Sequence, residues 1–95
     1  MKSKPSKNIF KDLGFTAEEA DNLRIRSALM IEITEHIRQA ELTQKAAAQL
    51  LGVAQPRISD IIRGRIEVFS IDTLIAMLSR LGVKTSIRVG SKRVA

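Results

Sequence analysis

The chain has 95 residues, 44% of them apolar, no cysteine and a net charge of +6. A chain of that length forms one domain and buries about 60–65% of the surface its unfolded form exposes, enough for one modest core. The lack of Cys excludes disulfides and thiolate metal sites, and no apolar run approaches the ~20 residues of a membrane span or forms a signal-peptide core, so a soluble, cytoplasmic protein is expected.

The charge is segregated along the chain. Residues 1–12 carry Lys2, Lys4, Lys7 and Lys11 against Asp12, a net +3, whereas residues 13–42 hold three Arg and six acids, a net −3. Residues 43–65 carry Lys45, Arg57, Arg63 and Arg65 against Asp60, a net +3; residues 66–83 sum to −1; residues 84–95 carry Lys84, Arg88, Lys92 and Arg93 and no acid. Basic segments on either side of an acidic one favour a polyanionic partner such as nucleic acid, or simply keep the surface solvated.

Residues 1–8 (MKSKPSKN) read as a flexible basic arm, residues 9–89 as the folded domain and 90–95 as a basic tail. The first helix starts in "FTAEEADNL": Thr16 is the N-cap and Glu19 stands at the capping-box spacing, with Glu18, Glu19 and Asp21 at the positive end of the helix dipole. Leu23, Met30, Ile33, Ile37 and Ala40 recur at helical period. A break near Arg26-Ser27 would make two helices of this stretch; without it there is one. Thr43 caps a short helix from Gln44 to Leu51, ended by Gly52. Another runs from about Gln55 to Arg63, ended by Gly64. Ser70 caps a last one, Ile71 to Leu81, ended by Gly82, with Ile71, Leu74, Met77, Leu78 and Leu81 on its apolar face.

The tail "VKTSIRV" alternates, with Val83, Thr85, Ile87 and Val89 on one face and Lys84, Ser86 and Arg88 on the other, which predicts a short C-terminal β-strand. A lone strand has no ladder partner in its own chain. It either pairs with a second copy, or adds to a sheet of another protein, or frays.

Two short helices joined across Gly52 carry the functional signal. In a window opening at Gln44, Ala48 falls where the helices pass closest and Gly52 takes the sharp turn. Ala47, Leu51, Val53, Ile58 and Ile61 fall where a helix-turn-helix buries its apolar contacts. All these positions fit, and such a pair is the DNA-reading unit of many repressors.

The chain resembles the XRE (Cro/repressor-like) helix-turn-helix regulators, and within them the short HigA-like antitoxins. The resemblance runs over about residues 8–89 and rests on "NIFKDLGFTAEEADNLRIRSALM", "LTQKAAAQLLGVAQPRISDIIRG" and "FSIDTLIAMLSRLGV". It implies a compact, five-helix-like, all-α, lambda-repressor-like domain, a homodimer on an inverted-repeat DNA operator, autorepression, and often neutralisation of a cognate toxin protein encoded alongside. One position departs from the pattern: where the family commonly has Ser, this chain has Ala54, so either the helix start is weaker or Gln55 takes over the cap.

The candidate DNA-binding residues are Thr43, Gln44, Gln55, Pro56, Arg57, Ser59, Asp60, Arg63 and Arg65. Pro56 is tolerated in a first turn, where its missing N–H would have no partner, and it pushes Gln55 half outside the helix. The start of the second helix is the end that enters the major groove, so Gln55 is poised to pair with adenine and Arg57 with guanine or phosphate. Ser59 and Asp60 are placed on the outward face with Gln55 and Arg63. Asp60 is unfavourable near phosphate unless it reads cytosine or pairs with an Arg. Gln44 either clamps a phosphate at its helix start or is an exposed polar residue. Arg63 and Arg65 follow as phosphate contacts.

His36 stands alone with Glu32 and Glu35, a poor ligand set, so neither metal nor cofactor is expected. No Ser has a base placed to activate it, and no enzyme is expected. The resulting expectation is a DNA-binding repressor and antitoxin. The alternatives are a stand-alone XRE-type regulator and a protein-interaction module that has lost DNA binding.

Overall fold

The computed structural model describes residues 14–90; the arm at 1–8 and residues 91–95 of the basic tail lie outside that range. Among the described residues four α-helices follow one another: α1 (Ala17–Gln39), α2 (Gln44–Leu51), α3 (Gln55–Ile62) and α4 (Ile71–Arg80), with a 3-10 turn at Ile66–Val68 between the last two.

α1 is unbroken. Residues 17–39 contain no Gly or Pro to interrupt it, and Arg26 reinforces the region where a break was conceivable, donating from Nε to the Asn22 side chain at 2.7 Å. The expected capping box is formed: Thr16 Oγ1 accepts the Glu19 N–H at 3.1 Å and Glu19 Oε1 accepts the Thr16 N–H at 2.9 Å. At the other end Glu41, with φ 54°, takes the left-handed position that Gly usually fills, and the Leu42 N–H returns to the Ile37 carbonyl at 3.1 Å. Thr43 and Ser70 cap α2 and α4 by accepting the N–H groups of Ala46 and Thr73.

The core is one cluster to which all four of these helices contribute: Met30, Ile33 and Ile37 of α1, Ala47, Ala48 and Leu51 of α2, Ile58 and Ile61 of α3, and Leu74, Met77 and Leu78 of α4, closed by Phe69 from the linker. α1 packs mainly along α4, while α2 and α3 pack on each other and lean on α1 and α4. Of the apolar face expected on α1, Leu23 is half-buried and Ala40 is exposed at the helix end. The linker between α3 and α4 is fixed from a distance. The Arg26 Nη1 donates to the carbonyls of Ile66 and Phe69 at 3.2 Å each, which holds the 3-10 turn against α1.

The predicted C-terminal strand is absent. Residues 83–90 have no regular secondary structure, and no strand occurs among the described residues. The Val83 N–H bonds to the Leu78 carbonyl at 3.0 Å as part of the α4 terminus, and beyond it Ile87 and Val89 are 79% and 87% exposed. The alternation is real, but a strand is a pairwise structure: without a second backbone to complete its ladder, an alternating segment has nothing to hold it extended.

Candidate nucleic-acid interface

The turn between α2 and α3 is built from its glycine outward. Gly52 adopts φ 71° and ψ 32°, a left-handed geometry that β-carbon-bearing residues enter only at a cost. The Val53 N–H closes back on the Ala48 carbonyl at 3.0 Å. Arg80 of α4 lies over the turn: its Nε donates to the Leu50 carbonyl at 3.1 Å, and its guanidinium carbon sits 3.0 Å from where a Cβ on residue 52 would be. The helix-turn-helix contact positions deduced from spacing sit as that spacing requires. Ala47, Ala48, Leu51, Ile58 and Ile61 are all buried, and Val53 is half-buried. Ile58, with no exposed surface, and Ile61 anchor α3, each fully buried branched side chain contributing about 1.5–3 kcal/mol.

That anchoring turns the start of α3 to solvent. Gln55, Pro56 and Arg57 are all exposed. The cap falls on Ala54, in extended geometry with no side-chain hydrogen bond, and Gln55 is the first helical residue, one position further into the helix than its place before Pro56 suggested. Gln55 therefore does not take over the cap. Its side chain makes no hydrogen bond among the described residues, which leaves both its amide donors and its carbonyl available. Thr43 and Gln44 are exposed at the start of α2, the Thr43 hydroxyl oxygen being occupied by the Ala46 N–H at 3.0 Å.

Asp60 is not on the outward face. It is 9% exposed and engaged with arginine: its Oδ2 accepts from Arg57 Nη1 at 2.6 Å, and Arg65 Nη1 stands 3.8 Å from its Oδ1. Five residues from Gln55 along a 3.6-residue period, it points toward the turn at the end of α3, where the Arg65 N–H also bonds to its carbonyl at 2.9 Å. Ser59 is half-buried on α3. Arg65 shares its guanidinium with Glu67, at 3.3 Å. Arg63, at the C-cap of α3, is exposed and forms no ion pair among the described residues. The same holds for Lys45, the second residue of α2, which spacing did not single out although its charge counts toward the basic middle segment. The supporting roles of Arg80 and Arg26 were not visible in the sequence, because their partners lie 30, 40 and 43 residues away.

His36 lies along α1 with Nδ1 2.8 Å from the Glu32 carbonyl oxygen. Among the described residues, no group of three or more His, Cys, Asp or Glu is placed to hold a metal ion, and no helix is long and apolar enough to cross a membrane.

A helix held by its apolar face beyond a glycine turn, with its start facing outward, is the reading half of a helix-turn-helix. Known proteins give the same class. The family described as helix-turn-helix domain matches residues 9–90. An uncharacterised HTH-type transcriptional regulator of Haemophilus influenzae is 34% identical over 80 residues, covering 84% of this chain and 81% of the relative. A solved structure assigned to the XRE family of transcriptional regulators superposes with a TM-score of 0.74 at 30% identity, over 81% of this chain and 90% of that one. The chain belongs to the helix-turn-helix family, among the XRE-type DNA-binding transcriptional regulators.

Proposed function

We propose that this XRE-type protein is a sequence-specific repressor that binds an inverted-repeat operator as a homodimer and is the antitoxin of a type II toxin–antitoxin pair. The observation that carries DNA reading is the start of α3. Gln55 is exposed and unbonded on a helix whose opposite face is fixed in the core by Ile58 and Ile61. Gln55 is the base-reading residue, Arg57 reads beside it, and Thr43, Gln44, Lys45 and Arg63 hold phosphate. Only the charged contacts release counterions, so Lys45 and Arg63 of two protomers neutralise about four phosphates and give a slope of log K against log salt of about −3.6. A slope shallower than about −2 on the protein's own promoter would sink operator binding.

The antitoxin role rests on the resemblance of residues 8–30 and 69–83 to short antitoxins and on the acidic character of α1. An acidic surface suits a partner that is basic because it binds RNA. The test is co-expression with the adjacent reading frame: a small basic protein that co-purifies and is neutralised supports the role. A stand-alone regulator is the second reading, favoured by the Haemophilus relative, which is described as a transcriptional regulator only. A protein that represses its promoter and captures no neighbour product would establish that reading instead.

A further inference from the structure

The reading helix carries an acid where DNA brings negative charge. Asp60 is close to fully buried, and its carboxylate meets Arg57 at 2.6 Å, one helical turn earlier on α3, and Arg65 at 3.8 Å, just beyond the helix end. Arg57 is half exposed, so the pair adds little stability in itself. What it fixes is geometry and charge. The long Arg57 side chain, which would otherwise sample many rotamers, is tethered by one guanidinium nitrogen to an acceptor that the core holds still. The remaining N–H groups stay free at the solvent side.

We propose that Asp60 is a positioning residue for DNA discrimination, holding Arg57 so that it reads a base edge and is withheld from indiscriminate phosphate contact. The inference rests on the reading that α3 binds DNA. Before DNA arrives, the Arg57 charge is already answered by a carboxylate. On a wrong sequence, a phosphate that meets the free edge finds the Arg57 charge already neutralised by Asp60, so the contact releases little further counterion and yields little. On the right sequence, the free edge of the guanidinium meets a guanine while Nη1 stays on Asp60, and no bond is given up. This leaves Arg63 and Lys45, which have no carboxylate partner among the described residues, as the cations that bind DNA of any sequence.

The experiment compares the full-length wild-type protein, Asp60→Asn, Arg57→Gln and the double variant. Each is titrated against a duplex enriched by the wild-type protein from a random pool, and against the unselected pool, over a range of salt. Asp60→Asn releases Arg57. Binding to the unselected pool tightens, its salt slope steepens by about 0.9 per protomer, and the ratio of selected to unselected affinity falls about tenfold. In the Arg57→Gln background the same change leaves the slope where Arg57→Gln put it, which separates an action through Arg57 from a general loosening of the fold. Unchanged slope and ratio in a folded Asp60→Asn protein would overturn the inference while leaving DNA binding intact. Absence of binding by the wild-type protein would overturn the DNA reading, and the inference with it. Should Asp60→Asn fail to fold by circular dichroism, Arg57→Gln alone decides. A tethered Arg57 predicts a loss of about tenfold on the selected duplex and, on the unselected pool, a slope change well under 0.9 per protomer. The full change on both duplexes marks Arg57 as a plain phosphate contact.

Discussion

Gly52→Ala tests the turn on which the helix pair depends. At φ 71° an alanine pays about 1–2 kcal/mol of left-handed strain. Part of that, about 0.4–1 kcal/mol, is offset because alanine leaves the unfolded chain less entropy to lose. The new methyl would also stand 3.0 Å from the Arg80 guanidinium carbon and Nε. Arg80 is flexible and moves away cheaply, but moving breaks its hydrogen bond to the Leu50 carbonyl, worth about 0.5–1.5 kcal/mol. The sum is a loss of about 2 kcal/mol, or a melting temperature lower by ~8–16 °C for a domain of this size. Urea titration followed by circular dichroism measures it. In an Arg80→Ala background the hydrogen-bond part has already gone, so Gly52→Ala then costs only about 1 kcal/mol. Equal cost in both backgrounds would refute the role of Arg80 over the turn, and a cost below ~0.5 kcal/mol in the native background would refute the strain.

Glu41→Gly places glycine at the other left-handed helix end and is expected to stabilise by about 0.5–1 kcal/mol, read as a rise of a few degrees in melting temperature. Arg63→Ala removes an unpaired cation, so fluorescence-anisotropy titrations should show weaker binding to every duplex and a salt slope shallower by about 0.9 per protomer. Gln55→Ala deletes a bidentate base contact and is expected to cost about 1–3 kcal/mol at one base pair of each half-site, with affinity for unselected DNA preserved; equal losses on selected and unselected duplexes would make Gln55 a backbone contact.

What the sequence disclosed are the interactions that close within one turn of helix. Thr16 with Glu19, Thr43 with Ala46 and Ser70 with Thr73 are each three residues apart, and each formed as the spacing required. The buried positions around Gly52 were legible for a related reason: two helices joined by a turn this short have almost no freedom in how their apolar faces meet. Glu41 was not legible, since a glutamate carries no mark of a left-handed backbone. Nothing in a local pattern signals Arg26 crossing to the carbonyls of Ile66 and Phe69, or Arg80 crossing to Leu50, because the packing of α1 and α4 decides those contacts.

Asp60 and the tail fail for opposite reasons. A charged residue on a short helix is placed outward because burying an unpaired carboxylate costs several kcal/mol. That rule lapses once two arginines are within reach, and the partners of Asp60 come from either side of it, Arg57 on the helix and Arg65 past the glycine that ends it. The pairing depends on the Gly64 turn bringing Arg65 back toward the helix, where the Gly64 N–H meets the Ile61 carbonyl at 3.0 Å. In residues 83–89 the local pattern is sound but incomplete. Alternation says which side chains would share a face if the backbone were extended, and only a neighbouring backbone can make it so. Helical signals are satisfied inside the segment that carries them, whereas strand signals are satisfied elsewhere. That asymmetry is why the helix starts and ends were legible in this chain and its one expected strand is not there.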